Sequence, residues 1–419
     1  MLIQFSVRNY MSLKDETTLS LVAGQGKELK DNLRQYKDGN LLPTIAIFGA
    51  NAAGKSNIFK AMTAAINIIR SSNERQIDRP IPFIVPYAFD SECRINPSTF
   101  DFIFIVNGEK YQYGFSADQY RIYDEYLYLY KTKIPSLIFE RTNTREYNFT
   151  SANESKLKKY IEKTSDNKLF LSTATNWNSD LTRNAYIWFA NCVDTYNDSS
   201  FKLNPGTLEV FDNGGEALED FVTSLLKTAD INISGYNIES EIVDAPNILV
   251  GDLPPGIQIN APQKMKHFML STNHIINNGQ EITEFTLPLE EESEGTQRIF
   301  AFGPIIKDAL ERGRTLVVDE IDNSLHPLFL EYLISLFNNK ESNPNNAQLI
   351  FNTHSVEVLS LDLFRRDQIY FVEKNNDDGV TELYALDEFS PRKTENIRKG
   401  YLQGRYGAVP NIGWEDLKW

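Results

Sequence analysis

Apolar and polar positions along this chain sort into period-two and helical stretches, and these order it before any chemistry is considered. Residues 2–7 alternate as a strand does, residues 8–12 (Arg8-Asn9-Tyr10-Met11-Ser12) read as a turn, and residues 17–22 as a second strand. A polar loop over 27–40 leads to an unbroken apolar run, Ile45-Ala46-Ile47-Phe48. Apolar positions then recur at Ile58, Phe59, Met62, Ile66 and Ile69, predicting a helix over about 56–70. Residues 99–106 and 110–116 are strand runs joined at Asn107-Gly108, a dipeptide that favours a type I′ hairpin. Aromatic strand-like sequence follows at 120–130 and 136–140. From 151 to about 229 the spacing turns helical (Leu157, Tyr160, Ile161; later Leu218, Phe221, Val222, Leu225) between Asn-rich loops. Residues 231–289 return to strands and turns, punctuated by Pro254-Pro255-Gly256. This pattern divides the chain at 1–150, an inserted lobe at 151–285, helical and then strand and turn, and 286–419.

Gly49-Ala50-Asn51-Ala52-Ala53-Gly54-Lys55-Ser56 completes G-x-x-x-x-G-K-[ST] between the strand at 45–48 and the helix after it. A phosphate-binding loop requires that strand–loop–helix context. Its glycines let the backbone curl so that N–H groups point inward, and the helix start adds a favourable dipole. Lys55 is expected to reach the β- and γ-phosphates of a nucleotide and the Ser56 hydroxyl to ligate Mg²⁺. With Asn57, the expected nucleotide-binding set runs from Gly49 to Asn57. Thr315-Leu316-Val317-Val318 is a short apolar run ending in Asp319-Glu320. It suits a central parallel strand, with Asp319 toward Mg²⁺ and Glu320 as general base for the attacking water.

Upstream of that pair, Ser293 sits where an N-cap belongs, before an apolar helix (Ile299, Phe300, Phe302, Ile305, Ile306, Leu310). Its hydroxyl and the Gly295 and Thr296 amides would form an anion-binding helix start. Asp322-Asn323-Ser324-Leu325-His326-Pro327 turns into another helix, with Pro327 at its first position. The run 348–353 ends at His354, placed to meet the γ-phosphate.

Bulk properties narrow the context. The chain has 419 residues and a formal net charge of -15, which argues against a broad nucleic-acid-coating surface and leaves a local basic groove open. No apolar run is long enough for a membrane helix, and the N-terminus is not a signal peptide. Cys93 and Cys192 form no C-x-x-C pair, so neither a disulfide framework nor a zinc site is expected. A cytoplasmic protein is expected. Sustained heptads are absent, which counts against long coiled-coil arms.

The order of these motifs resembles the ABC-type ATPases of the SMC and OLD (overcoming lysogenization defect) branch. It looks most like the prokaryotic ATP/GTP phosphatases of the RloA, AbiL and AriA type, found with phage-defence and abortive-infection systems. Val7-Arg8-Asn9-Tyr10-Met11-Ser12 and Gly404-Arg405-Tyr406-Gly407-Ala408 are similar to that family's opening and closing segments. Residues 151–289 match only in general character. The resemblance implies an α/β fold: an ABC-type P-loop ATPase head, a mixed β-sheet flanked by helices, with an antiparallel β subdomain and an inserted, mostly helical lobe. It implies an ATPase with ATP and Mg²⁺ as cofactors. Ser293, Gly295 and Thr296 stand for the signature motif that contacts ATP bound by the opposite subunit. Asn323 and Ser324 stand for the D-loop, and His354 for the switch histidine. Glu294 and Thr296 depart from the transporter form of the signature, and no residue is assigned to the Q-loop.

The implied partners are a second copy (a homodimer or a higher homo-oligomer built of dimers), an effector or nuclease from a neighbouring gene, and a phage-derived trigger. No membrane partner is expected, and nucleic acid is left open. OLD nucleases continue past the histidine strand into a nuclease domain of about 100 residues. The 59 residues 361–419 are too few for it, so the lethal chemistry is expected to lie in a partner. The lobe at 151–229 and the tail around Arg405 are candidate contact regions. The rival readings are an SMC-like DNA-repair or DNA-binding ATPase and the nucleotide-binding subunit of a transporter. Absent arms and acidic charge count against the first. The insertion between Lys55 and Asp319, with the altered signature, counts against the second.

Overall fold

Alternation builds the first sheet. The computed structural model describes residues 1–197, 205–229, 231–244, 264–277, 279 and 281–410. β1 (Leu2–Arg8) and β2 (Thr17–Ser20) are followed by a small hairpin, β3 (Arg34–Tyr36) and β4 (Gly39–Leu41), inside the stretch expected to be a polar loop. Next come β5 (Thr44–Gly49), α1 (Lys55–Ser71), the short α2 (Ser91–Ile95) and a run of antiparallel strands. These are β6 (Ser98–Val106), β7 (Glu109–Ala117), β8 (Ile122–Tyr130), β9 (Ser136–Thr142) and β10 (Glu146–Phe149). In β6 every second side chain is buried, the signature of a strand with one face on the core. Asn107 and Gly108 both take positive φ, 51° and 77°, as a type I′ turn demands. The seven-stranded sheet runs β10-β9-β8-β7-β6-β1-β2.

Then come α3 (Ser151–Leu157), α4 (Phe170–Asn176), α5 (Asp180–Ile187) and β11 (Val193–Tyr196). Further on lie α6 (Pro205–Thr228), β12 (Gly235–Asp244), β13 (Lys264–Asn277), β14 (Ile282–Pro288) and α7 (Glu294–Arg312). The chain continues through β15 (Thr315–Val318), α8 (Pro327–Asn338), β16 (Gln348–Asn352), β17 (Ile369–Lys374), β18 (Thr381–Ala385) and α9 (Ile397–Leu402). The core sheet has the order β11-β15-β16-β5-β17-β18. Its first five strands are parallel, and β18 returns antiparallel to β17. β5, β15 and β16 are apolar runs because each is covered on both faces.

The chain divides into two compact units, one of residues 1–197, 309–323 and 330–419, the other of 198–308 and 324–329. The first unit thus runs on past residue 150 to residue 197. Leu157, Leu169, Phe170, Leu171, Trp188 and Phe189 are fully buried in one cluster with β6, β7 and α1. Trp188 stacks on Phe104 at 4.4 Å. Helical spacing identified these helices but not the surface they cover. Arg70, in the last turn of α1, donates to the Phe189 and Val193 carbonyls and so delivers β11 to the core sheet.

In the second unit, β12-β13-β14 form an antiparallel sheet. α6 bends at Gly215 (φ 60°). Phe211, Tyr236 and Phe300 make a ring cluster with centroids 5.2–5.9 Å apart. A Cβ on Gly303 would lie 2.7 Å from Val222, so this glycine lets α7 approach α6. The punctuation at Pro254-Pro255-Gly256 lies outside the described residues.

Candidate nucleotide site

The loop after β5 takes its shape from two glycines with different duties. Gly49 pairs with Val372 across the sheet, and a Cβ there would sit 2.4 Å from the Val372 carbonyl oxygen. Gly54 has φ +106°, and a Cβ there would meet Thr381 Oγ1 at 2.2 Å. Between them Ala52 also takes a positive φ. α1 starts at Lys55 with no side chain capping it, leaving its first N–H groups for an anion.

Lys55 is buried (5% exposed), and its ammonium donates to the Gly49 and Ala50 carbonyls at 2.8 and 3.1 Å. Burial lowers its pKa, opposed by the nearby Glu320, Asp322 and Asp319 carboxylates. Behind the loop, Thr381 of β18 reaches Ser12 Oγ at 2.7 Å and the Ala53 carbonyl at 2.9 Å. The Asn57 amide donates to the same Ser12 hydroxyl at 2.6 Å. Asn57, expected among the nucleotide ligands, thus directs its side chain into the loop's support.

β15 ends at Val318, and the turn after it carries Asp319 and Glu320. The Asp319 carboxylate accepts from Asn352 Nδ2 at 2.6 Å and is also hydrogen-bonded by Ser56. Burial raises its pKa, and Glu320 adds to the rise. Glu320 has φ +57°, and its N–H donates to Asn352 Oδ1. Its Oε2 accepts from Asn323 at 3.1 Å, while Oε1 lies 3.8 Å from His354 Nε2. Asp322 Oδ2 accepts the N–H groups of His354 and Ser355, both at 3.1 Å, tying the histidine loop to the acid turn.

Ala50–Asn57, Glu320 and His354 line one cleft of about 410 Å³. Ala50–Ala53 also border a groove of about 1030 Å³ with Lys14, Tyr87, Phe89 and Ala408. The opening and closing segments thus meet the loop: Ser12 from behind, Ala408 along the groove.

Among the described residues no three His, Cys, Asp or Glu side chains form a metal-binding group. The donors that do converge, the Ser56 hydroxyl and the Asp319 carboxylate, are hard oxygens. That fits a Mg²⁺ site completed by phosphate and water.

The remaining expected residues belong to the second unit. Ser293 Oγ accepts the Thr296 N–H at 3.2 Å, so Ser293 caps α7 as anticipated. The Ser293 and Thr296 hydroxyls are 2.8 Å apart, with Thr296 buried. Gly295 lies against the Ser324 carbonyl, where a Cβ would approach to 2.8 Å.

Residues 45–360, about three quarters of the chain, match the family model described as "AAA domain, putative AbiEii toxin, Type IV TA system". The chain belongs to this AAA-domain family. Solved structures similar to this AAA domain include the SMC head domain from Thermotoga maritima, at 12% identity and TM-score 0.40. That match covers 92% of this chain and 98% of the other. The Smc head with an extended coiled coil from Pyrococcus furiosus, bound to the C-terminal domain of ScpA, has 12% identity and TM-score 0.40, covering 96% and 99%. CbiO1 of the ABC transporter complex cbiONQ from Clostridium perfringens has 11% identity and TM-score 0.29, covering 90% and 95%. None of the curated proteins compared matches the chain. The strand order and the loop after β5 make the AAA domain a P-loop NTPase fold. Among the described residues no helix is long and apolar enough to cross a membrane.

Asn352 and Thr381 belong to no motif named above, and Ser12 stands only in the opening segment, with no role assigned. The signal for Asn352 was a polar residue inside a buried strand run. Thr381 carries no such signal, because it lies in none of the motifs.

Proposed function

We propose that this AAA domain is a Mg²⁺-dependent ATPase that dimerises around ATP and controls a separate toxic effector, a nuclease, in antiphage defence. The observation that carries the hydrolytic part is the shared cleft: P-loop, Glu320 and His354 face one space. The triphosphate lies along the loop N–H groups, and the Lys55 ammonium moves from the Gly49 and Ala50 carbonyls to its oxygens. Ser56 and Asp319 would hold Mg²⁺, which would supply positive charge against the phosphate oxygens. Glu320 takes the proton of the attacking water, and His354 donates a hydrogen bond to the γ-phosphate.

Ser293, Gly295 and Thr296 serve the ATP of the opposite subunit, the role the resemblance gives such a helix start. The defence role is supported by the toxin–antitoxin wording of the family description and by the resemblance to the RloA, AbiL and AriA type. A phage-derived trigger and higher homo-oligomers built of dimers belong to the same reading.

The test is a pair of measurements on the purified full chain. It should release phosphate from ATP only with Mg²⁺, and it should degrade neither DNA nor RNA alone. Co-expressed with its neighbouring gene product it should restrict phage growth, and Lys55→Ala should abolish that restriction. Nuclease activity intrinsic to the chain, or restriction untouched by Lys55→Ala, would refute the division of labour.

A further inference from the structure

Asn352 ends β16, the strand between the P-loop strand and the strand carrying the acid pair. Its side chain is fully buried and occupied at both ends. Nδ2 donates to Asp319 Oδ1 at 2.6 Å, and Oδ1 accepts the N–H of Glu320. Its backbone carbonyl also accepts the N–H of Ile321 at 3.3 Å. The amide orientation follows from its partners, because a backbone N–H only donates and an ionised carboxylate only accepts. Glu320 stands at φ +57°, which a non-glycine residue keeps only where its surroundings impose it.

We propose that Asn352 is a positioning residue for the hydrolytic site, fixing through one amide the plane of the Asp319 carboxylate and the backbone from which Glu320 projects. The proposal rests on the ATPase reading. The task needs one group that donates and one that accepts on the same short side chain. Leucine has the size and neither group. Aspartate keeps the acceptor for Glu320 but turns a second acceptor toward Asp319. Serine is too short to reach both. Partners of metal-binding carboxylates that act in this way tune the metal site without touching the nucleotide.

The experiment uses full-length Asn352→Ala, Asn352→Ser and Asn352→Asp. A fluorescent ATP analogue is titrated in EDTA and again in Mg²⁺, alongside kcat, KM and thermal melting. In EDTA, affinity should stay within about twofold of wild type, because the P-loop carries that binding. The gain in affinity that Mg²⁺ confers should shrink by about tenfold, and kcat should fall by about tenfold or more with KM little changed. A variant that folds with wild-type kcat and a wild-type Mg²⁺ gain would overturn the proposal. So would a parallel loss of EDTA binding and melting temperature in all three variants, which is the mark of packing alone. Wild-type protein that binds the analogue but never hydrolyses ATP would refute the ATPase reading, and the Mg²⁺ gain would still decide Asn352.

Discussion

Glu320→Gln isolates the proton-accepting step. The side chain is 37% exposed, and its contacts include the Asn323 amide at 3.1 Å and His354 at 3.8 Å. Glutamine has the same length, and its carbonyl oxygen can keep the Asn323 bond. The backbone at φ +57° is unaffected, since the change begins at the terminal group. Stability should therefore shift by no more than about 0.5 kcal/mol. Binding should hold as well, because the loop amides and Lys55 are untouched and a negative charge near the triphosphate is removed. What disappears is the base. A positioned general base contributes about 10²–10⁴-fold, or about 2.7–5.5 kcal/mol of barrier. Phosphate release in a single turnover should slow by at least about a hundredfold. Titration of a fluorescent ATP analogue should give an unchanged or tighter Kd. Lys55→Ala protein prepared in parallel measures contaminating ATPase. A Glu320→Gln rate equal to wild type above that background would remove Glu320 from the mechanism.

Four further outcomes are expected. Lys55→Ala should weaken ATP binding itself by about 10–100-fold, the scale of a charged hydrogen bond, seen in equilibrium titration. His354→Ala should slow hydrolysis by about a hundredfold with a smaller change in Kd, and a structure with a non-hydrolysable analogue that leaves His354 remote from the γ-phosphate would contradict it. Ser293→Arg should abolish hydrolysis but not binding, and mixing it with Lys55→Ala protein should restore one working site per mixed dimer; verified mixed dimers without activity would count against the shared site. Glu125→Ala should cost about 3–5 kcal/mol in chemical denaturation, because Glu125 is fully buried 3.7 Å from Arg141 and accepts the N–H groups of Phe170 and Leu171.

The parts legible in the sequence share a physical property: each is encoded by neighbours in the chain. The P-loop needs its two glycines, Lys55 and Ser56 within eight positions. The hairpin at Asn107-Gly108 needs two residues that accept positive φ, and the cap of α7 needs Ser293 three residues before the Thr296 N–H it receives. Central strands announce themselves by being apolar on both faces. Helical spacing at Leu157, Tyr160 and Ile161 is equally visible, yet it says only that one side is covered. It does not say that the cover is the antiparallel sheet, which the burial of Leu157, Phe170 and Trp188 reveals.

The supports of the site were hidden for a related reason. The core sheet brings together residues from distant parts of the chain, and their side-chain bonds leave no local pattern. Thr381 reaches Ala53 across 328 positions and Ser12 across 369. Asn352 reaches Asp319 across 33. Each replaces an apolar residue that β-strand burial alone would favour, and a buried polar group persists only where it is satisfied. That rule turns the omission into a method. In a parallel sheet with a P-loop at its centre, a lone polar residue at the C-terminal end of an apolar strand run is the place to look for the groups that hold the reactive acids. Asn352 at the end of Leu349-Ile350-Phe351 meets that description, and its two bonds to the acid turn are what the rule anticipates.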